Sequence, residues 1–173
     1  MNPSFSKSRF RLFLALKWLA MFTQTVEYAL RAMVCLANAD SSPLTRTRLV
    51  EQTKVPSAYL AKVMRELNRA GLVNAQRGVN GGFSLAAPAE EISLLAVVSA
   101  VDPLPRISTC PLELKSHGSR LCGLHRYLDD SMAALERSLA EKSLAALVAE
   151  KTGSIPLCED PPAHPPVVEL NGR

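Results

Sequence analysis

The stretch from Leu67 to Leu85 constrains the fold more than any other part of the 173-residue chain. A helical pattern closes at Gly71, a residue free to take the left-handed conformation that ends helices. Val73 to Gln76 then read as a short strand. Arg77 follows in a glycine-rich turn with Gly78, Gly81 and Gly82, where Asn80-Gly81 is a strong hairpin signal because both positions tolerate positive φ. A second strand is predicted over Phe83 to Ala86. Helix, strand, basic turn and strand in this order are the pattern of a winged helix-turn-helix, and helix-turn-helix folds place their second helix in the major groove of DNA.

The flanking segments agree. Val26, Leu30, Met33, Val34 and Ala37 recur at helical spacing and predict a helix over about 23–39 with one apolar face. Asp40-Ser41-Ser42-Pro43 is a break. A short helix over about 45–53 has Thr45 as its N-cap and Leu49 and Val50 inward. Lys54-Val55-Pro56 makes a turn into a helix over 57–70, with Leu60, Val63, Met64 and Leu67 inward. Ser93 caps a helix of Leu94, Leu95, Val97, Val98 and Val101 that stops at Asp102-Pro103. A long helix over about 124–140 puts Leu124, Leu128, Leu135 and Leu139 on one stripe, with Met132 at its edge, and Ser143 caps a last short helix over 144–151. The expected fold class is mainly α with a small β-wing. It comprises an N-terminal extension (1–20), a winged-helix DNA-binding domain (21–102), a Cys/His loop (103–123), a long C-terminal helix with a short last helix (124–152), and a tail (153–173). The tail holds five prolines and little apolar periodicity, and reads as disordered.

Charge is distributed unevenly. The first twenty residues carry four bases and no acid, so the rest of the chain balances sixteen bases against sixteen acids. Within that neutral remainder, seven bases between Ser41 and Asn80 stand against Glu51 and Glu66 alone, and acids exceed bases from Gly81 onward. Such a block is the footprint of a nucleic-acid face; a solvated helix surface is the plainer reading. The apolar run from Phe10 to Phe22 follows basic residues in the manner of a signal peptide, but Arg11 and Lys17 interrupt it and no small-residue cleavage site follows. It is too short and too charged to span a bilayer, so no membrane partner is expected. Met21 opens the first segment that reads as a domain, and residues 1–20 read as a mis-assigned upstream start or a disordered arm. Four cysteines without pairwise regularity suggest no secreted disulfide framework and favour the reducing cytoplasm. Without a carboxylate–histidine pair, nucleophile elbow or phosphate loop, no enzymatic activity is expected.

Six residues form the expected DNA-facing set. Ser57, Tyr59 and Lys62 open the recognition helix and can reach phosphates or base edges, Arg46 and Arg48 can meet backbone phosphates, and Arg77 at the wing tip suits a narrow minor groove. Blander roles exist for two of them: Tyr59 packing on the preceding helix, and Ser57 serving as an N-cap.

The residues Thr23 to Met33, Ser57-Ala58-Tyr59-Leu60, Gly71-Leu72-Val73 with Arg77-Gly78, and Gly81 to Leu85 together resemble the Rrf2 family of transcriptional regulators, over roughly 21–150. Members of that family include iron–sulfur and nitric-oxide-responsive regulators. The resemblance implies a homodimer joined through the long C-terminal dimerisation helix, a palindromic double-stranded DNA operator, and often a cluster held in the loop before that helix.

That loop reads Cys110-x6-His117-x4-Cys122-x2-His125, a dense concentration of the thiolates and imidazoles that iron–sulfur clusters and zinc select. Cluster-binding relatives usually carry three cysteines here, often with a histidine just after the third. Cys110, Cys122 and His125 match the first, the third and that histidine; Ser116 or His117 stands where the middle cysteine is missing. This departure speaks against a [4Fe-4S] cluster and for a [2Fe-2S] centre with nitrogen or oxygen ligands, as histidine replaces cysteine in Rieske centres. The family resemblance adds Glu27, whose counterpart in some relatives reaches the partner subunit's cluster, although a first-turn glutamate is also favoured by the helix dipole. The expectation is therefore a repressor controlled by an iron–sulfur centre that senses redox, nitric oxide or iron–sulfur status. The alternatives, in order, are a metal-free regulator with a thiol switch and a zinc-binding one, since two cysteines and two histidines also close a tetrahedral zinc site. A redox or metal protein that does not bind DNA comes last. Cys35, among Met33, Val34 and Leu36, reads as a core thiol.

Overall fold

Helix α1 (Gln24–Ala37) sits at the centre of the fold. In the computed structural model, residues 22–39, 42–78, 81–111 and 120–150 are described; the extension 1–20, the tail 153–173, Asn80 and His117 lie outside them. Five more helices follow among the described residues: α2 (Arg46–Thr53), α3 (Ser57–Arg69), α4 (Leu94–Val101), α5 (Gly123–Glu141) and α6 (Leu144–Val148), with strands β1 (Val73–Gln76) and β2 (Gly82–Leu85) between α3 and α4. None is long and apolar enough to cross a membrane.

Hydroxyl caps open four of these helices. Thr23, Thr45, Ser93 and Ser143 each accept a backbone N–H from the residue three positions on, which satisfies one of the orphan donors at a helix start. Helix α1 ends at Ala37, two residues earlier than its apolar pattern suggested. Its burial also exceeds the expected single face. Val26, Tyr28, Ala29, Ala32, Met33, Val34, Cys35 and Leu36 are all buried, because α2, α3, α4, α6 and β2 pack around it. Helix α3 is the amphipathic element the spacing predicts, with Leu60, Val63, Met64 and Leu67 buried and the rest of its surface largely open. Gly71 follows with φ of +74°, and its N–H bonds back to Asn68.

The wing is a two-stranded antiparallel ribbon with Val73 opposite Leu85 and Gln76 opposite Gly82. Its loop runs from Arg77 to Gly81, so the pairing extends one residue further toward the turn than the expected start at Phe83. Among the described turn residues, Gly78 has a positive φ and Gly81 does not. Leu44 exchanges both backbone hydrogen bonds with Phe83, at 2.9 Å each, and ties the wing to the segment that opens α2. Gly82 is required there, since a Cβ would sit 2.6 Å from the Leu44 carbonyl oxygen.

Helix α5 follows the Cys/His loop and packs on α4. Its far end is pinned by backbone bonds from Leu94 to Lys142 and from Leu144 to Ile92, both 2.9 Å, which bring α6 back onto α1. Helix α6 stops at Val148, short of the expected Lys151.

Candidate nucleic-acid interface and sensor loop

The six residues expected to face DNA are all exposed: Arg46 and Arg48 on α2, Ser57, Tyr59 and Lys62 on α3, and Arg77 at the wing. Ser57 is the first residue of α3, not its cap; Pro56 holds the cap position, and its ring has no acceptor to offer. The Ser57 hydroxyl instead accepts from Arg46, whose Nε lies 3.1 Å away. Arg46 and Ser57 are therefore one unit across the helix-turn-helix.

Tyr59 is half exposed at 50% and meets Tyr28 of α1 edge-on, with ring centroids 5.9 Å apart. Its packing partner is thus α1, where α2 had been the plainer expectation. Arg31 lies over the Tyr28 ring at 5.9 Å, donates to the Thr53 carbonyl at 3.1 Å and binds Glu27 through Nε at 2.6 Å. One arginine thus joins the start of α1 to the last residue of α2. Sequence reasoning missed it; the i,i+4 spacing of Glu27 and Arg31 was the only available signal. Cys35 is a buried thiol as expected, with Sγ 2.8 Å from Gln52 Oε1.

Cys122, the N-cap of α5, and His125 in its first turn come together, with Sγ and Nδ1 3.3 Å apart. Cys110 is buried at the other side of the loop. Among the described residues, no three His, Cys, Asp or Glu side chains gather as a metal-binding group, and Glu27 is engaged by Arg31 within its own helix. His117 lies outside the described residues.

A clamp that sequence reasoning missed stands beside this loop. Arg106, four residues before Cys110, forks onto Asp129 of α5 with both bonds at 2.7 Å and reaches Glu136 one heptad on at 2.9 Å. The Ile107 N–H adds a 2.8 Å bond to Asp129. The guanidinium, then the Ile107 N–H, hold the Asp129 carboxyl down at about 2, and the two carboxylates raise Arg106 above its ordinary value. The seven-residue spacing of Asp129 and Glu136 places both on one helix face, but nothing in it points to an arginine twenty-three residues away.

A family model described as Rrf2, iron-dependent transcriptional regulator, matches residues 22–150. The chain belongs to the Rrf2 family. It is 30% identical over 127 residues to a helix-turn-helix-type transcriptional regulator of Haemophilus influenzae, covering 73% of this chain and 85% of that protein. Three solved Rrf2-like folds superpose well. CymR, the global cysteine regulator of B. subtilis, has a TM-score of 0.61 at 20% identity over 73% of this chain and 94% of that one. Staphylococcus aureus CymR gives 0.60 at 22% over 74% and 98%. IscR of T. potens gives 0.59 at 21% over 72% and 82%. The chain is thus a transcriptional regulator with a winged-helix DNA-binding fold, as the wing and the exposed recognition helix of this Rrf2 member already indicate.

Proposed function

We propose that this Rrf2-family chain is a homodimeric repressor that grips a palindromic operator and responds to a [2Fe-2S] centre in the loop before α5. The observation that carries the DNA part is a clean division on α3: Ser57, Tyr59 and Lys62 face solvent while Leu60, Val63 and Met64 are buried. Ser57, Tyr59 and Lys62 enter the major groove, Arg48 meets phosphates with Arg46 beside it at the start of α2, and Arg77 enters the adjacent minor groove. The dimer part rests on α5, which buries no residue and exposes Leu124, Tyr127 and Leu128. A second copy covers that stripe and spaces the two recognition helices.

The loop's donor chemistry, two thiols and an imidazole, fits a [2Fe-2S] centre with nitrogen ligation. Cys110, Cys122 and His125 would hold it, with His117 and Glu27 of the partner subunit as further candidates. Such a centre supplies redox and nitric-oxide reactivity. The protein's own part is mechanical: Cys122 is the N-cap of α5 and His125 lies in its first turn, so any rearrangement of their side chains acts on the helix that sets the dimer. A tenfold change in operator affinity requires about 1.4 kcal/mol of such coupling.

The 3.3 Å pairing of Cys122 with His125 also suits a second reading, in which the same two cysteines form a metal-free thiol switch or, with the histidines, hold zinc. An absorbance spectrum of anaerobically purified protein, with iron, sulfide and zinc analysis, separates the three. Under the first reading, replacing Cys110 and Cys122 by alanine removes visible absorbance and alters operator affinity; unchanged affinity and unchanged redox response would remove the sensor from the account.

A further inference from the structure

Arg46 makes three contacts to one residue. Its Nε donates to Ser57 Oγ at 3.1 Å, its Nη2 donates to the same oxygen at still shorter range, and Nη2 also reaches the Ser57 carbonyl at 3.4 Å. Both residues are exposed and stand at the first positions of their helices, eleven residues apart in sequence. A serine hydroxyl has two acceptor lone pairs and one hydrogen. Two N–H groups of a guanidinium, which has no acceptor and stays charged, fill both lone pairs. What remains is the O–H, and it must point away from the arginine.

We propose that Arg46 is a positioning residue for operator recognition: by filling both Ser57 lone pairs, it makes that hydroxyl a donor only, so that Ser57 selects a hydrogen-bond acceptor on the DNA. Left alone, serine is ambivalent and pairs with donors and acceptors alike. Held by Arg46, it donates to purine N7, guanine O6, thymine O4 or a phosphate oxygen, and cannot pair with the amino groups of cytosine and adenine. The fork also fixes the start of α3 against the start of α2, which sets the angle at which the recognition helix is presented. Lysine cannot replace it, because an ammonium on a flexible stem lacks the planar fork. The inference rests on the proposed DNA face.

The test begins with selection of bound duplexes from a random-sequence pool using the full-length protein. The selected site is then titrated by fluorescence anisotropy with Arg46→Ala, Arg46→Lys, Ser57→Ala, the Arg46→Ala/Ser57→Ala double variant and Lys62→Ala, each checked for folding by circular dichroism. Arg46→Ala and Ser57→Ala should each weaken binding about three- to tenfold, the range of one hydrogen bond, and the double variant should be no weaker than the worse single. Arg46→Lys should behave like Arg46→Ala. If the acceptor is a base edge, both single variants lose preference at the same base pair; if it is a phosphate, preference is kept and affinity falls across all sequences. Additive losses, or a silent Ser57→Ala beside an Arg46→Ala that lowers only the salt dependence, overturn the pairing and leave Arg46 a simple phosphate contact. Should Lys62→Ala also leave binding unchanged, the DNA face itself is misassigned.

Discussion

The winged-helix body and the helix that follows it are held by opposite means. The body closes around α1 with fully buried Met33, Leu49, Leu60, Met64, Leu67 and Val97, and each such side chain contributes about 1.5–3 kcal/mol on burial. Helix α5 has no fully buried residue, although Met132, Leu135 and Leu139 are half-buried. Leu124, Tyr127 and Leu128 stand 65%, 72% and 43% exposed, while Arg106, Asp129 and Glu136 tie the helix to the body by charge. The first region is complete in one chain. The second presents apolar surface that a single chain leaves in water, and its packing on α4 is supplemented by an exposed charge clamp. A DNA-binding scaffold must keep its shape, and under the proposed function α5 must respond to a signal; the two kinds of bonding suit those two roles.

Core truncation should separate the two regions most sharply. Leu60→Ala is expected to cost about 2–5 kcal/mol in denaturant unfolding, the range for a large-to-small change at a buried site, whereas Leu128→Ala should stay within about 0.5 kcal/mol for the isolated chain. Equal costs would erase the contrast. On α5 the effect should appear in assembly: under the proposed dimer, Leu124→Asp with Leu128→Asp shifts sedimentation to the monomer while far-ultraviolet circular dichroism is kept. A variant that stays dimeric places the interface elsewhere.

Removing the clamp should have a smaller and more local effect. Arg106→Ala is expected to raise amide exchange in α5 and the segment around Ile107, with α1 and α3 unchanged, because only the former lose bonds. The smallest effect is the acid response of the same contact. Asp129 has its folded value depressed to about 2 from an ordinary value near 4, so its contribution is complete above about pH 4 and is lost as pH falls through 2. Carboxyl chemical shifts followed by NMR should show Asp129 titrating well below the other carboxylates, and Arg106→Ala should return it to the ordinary range.

Much of the body was legible because its signals are local. Thr45 and Ser93 cap the helices they were expected to cap, and Val73 to Gln76 form the expected strand. Helix α3 buries the four residues its spacing selects. The same local reasoning misjudged the wing turn, where Leu44 pairs with Phe83 and draws Gly82 into the ladder. It also reduced α1 to one apolar face, since the number of elements packing on a helix is not written in that helix. At the candidate sites, the six residues expected to face DNA are exposed, and Cys122 and His125, grouped in the expected ligand set, lie 3.3 Å apart. Sequence did not show that Ser57 is held by Arg46, that Arg31 links α1 to the end of α2, or that Arg106 reaches across to α5.

Sequence alone therefore determined the elements, their caps, the polarity of the recognition helix and the family, because periodicity, turn chemistry and charge act over a few residues. Only the tertiary structure decided which side chains from separate elements share a hydrogen bond. Arg46 with Ser57 and Arg106 with Asp129 are bonds whose geometry is set by the packing of whole helices, and a contact between residues eleven or twenty-three positions apart leaves no periodic trace in the chain.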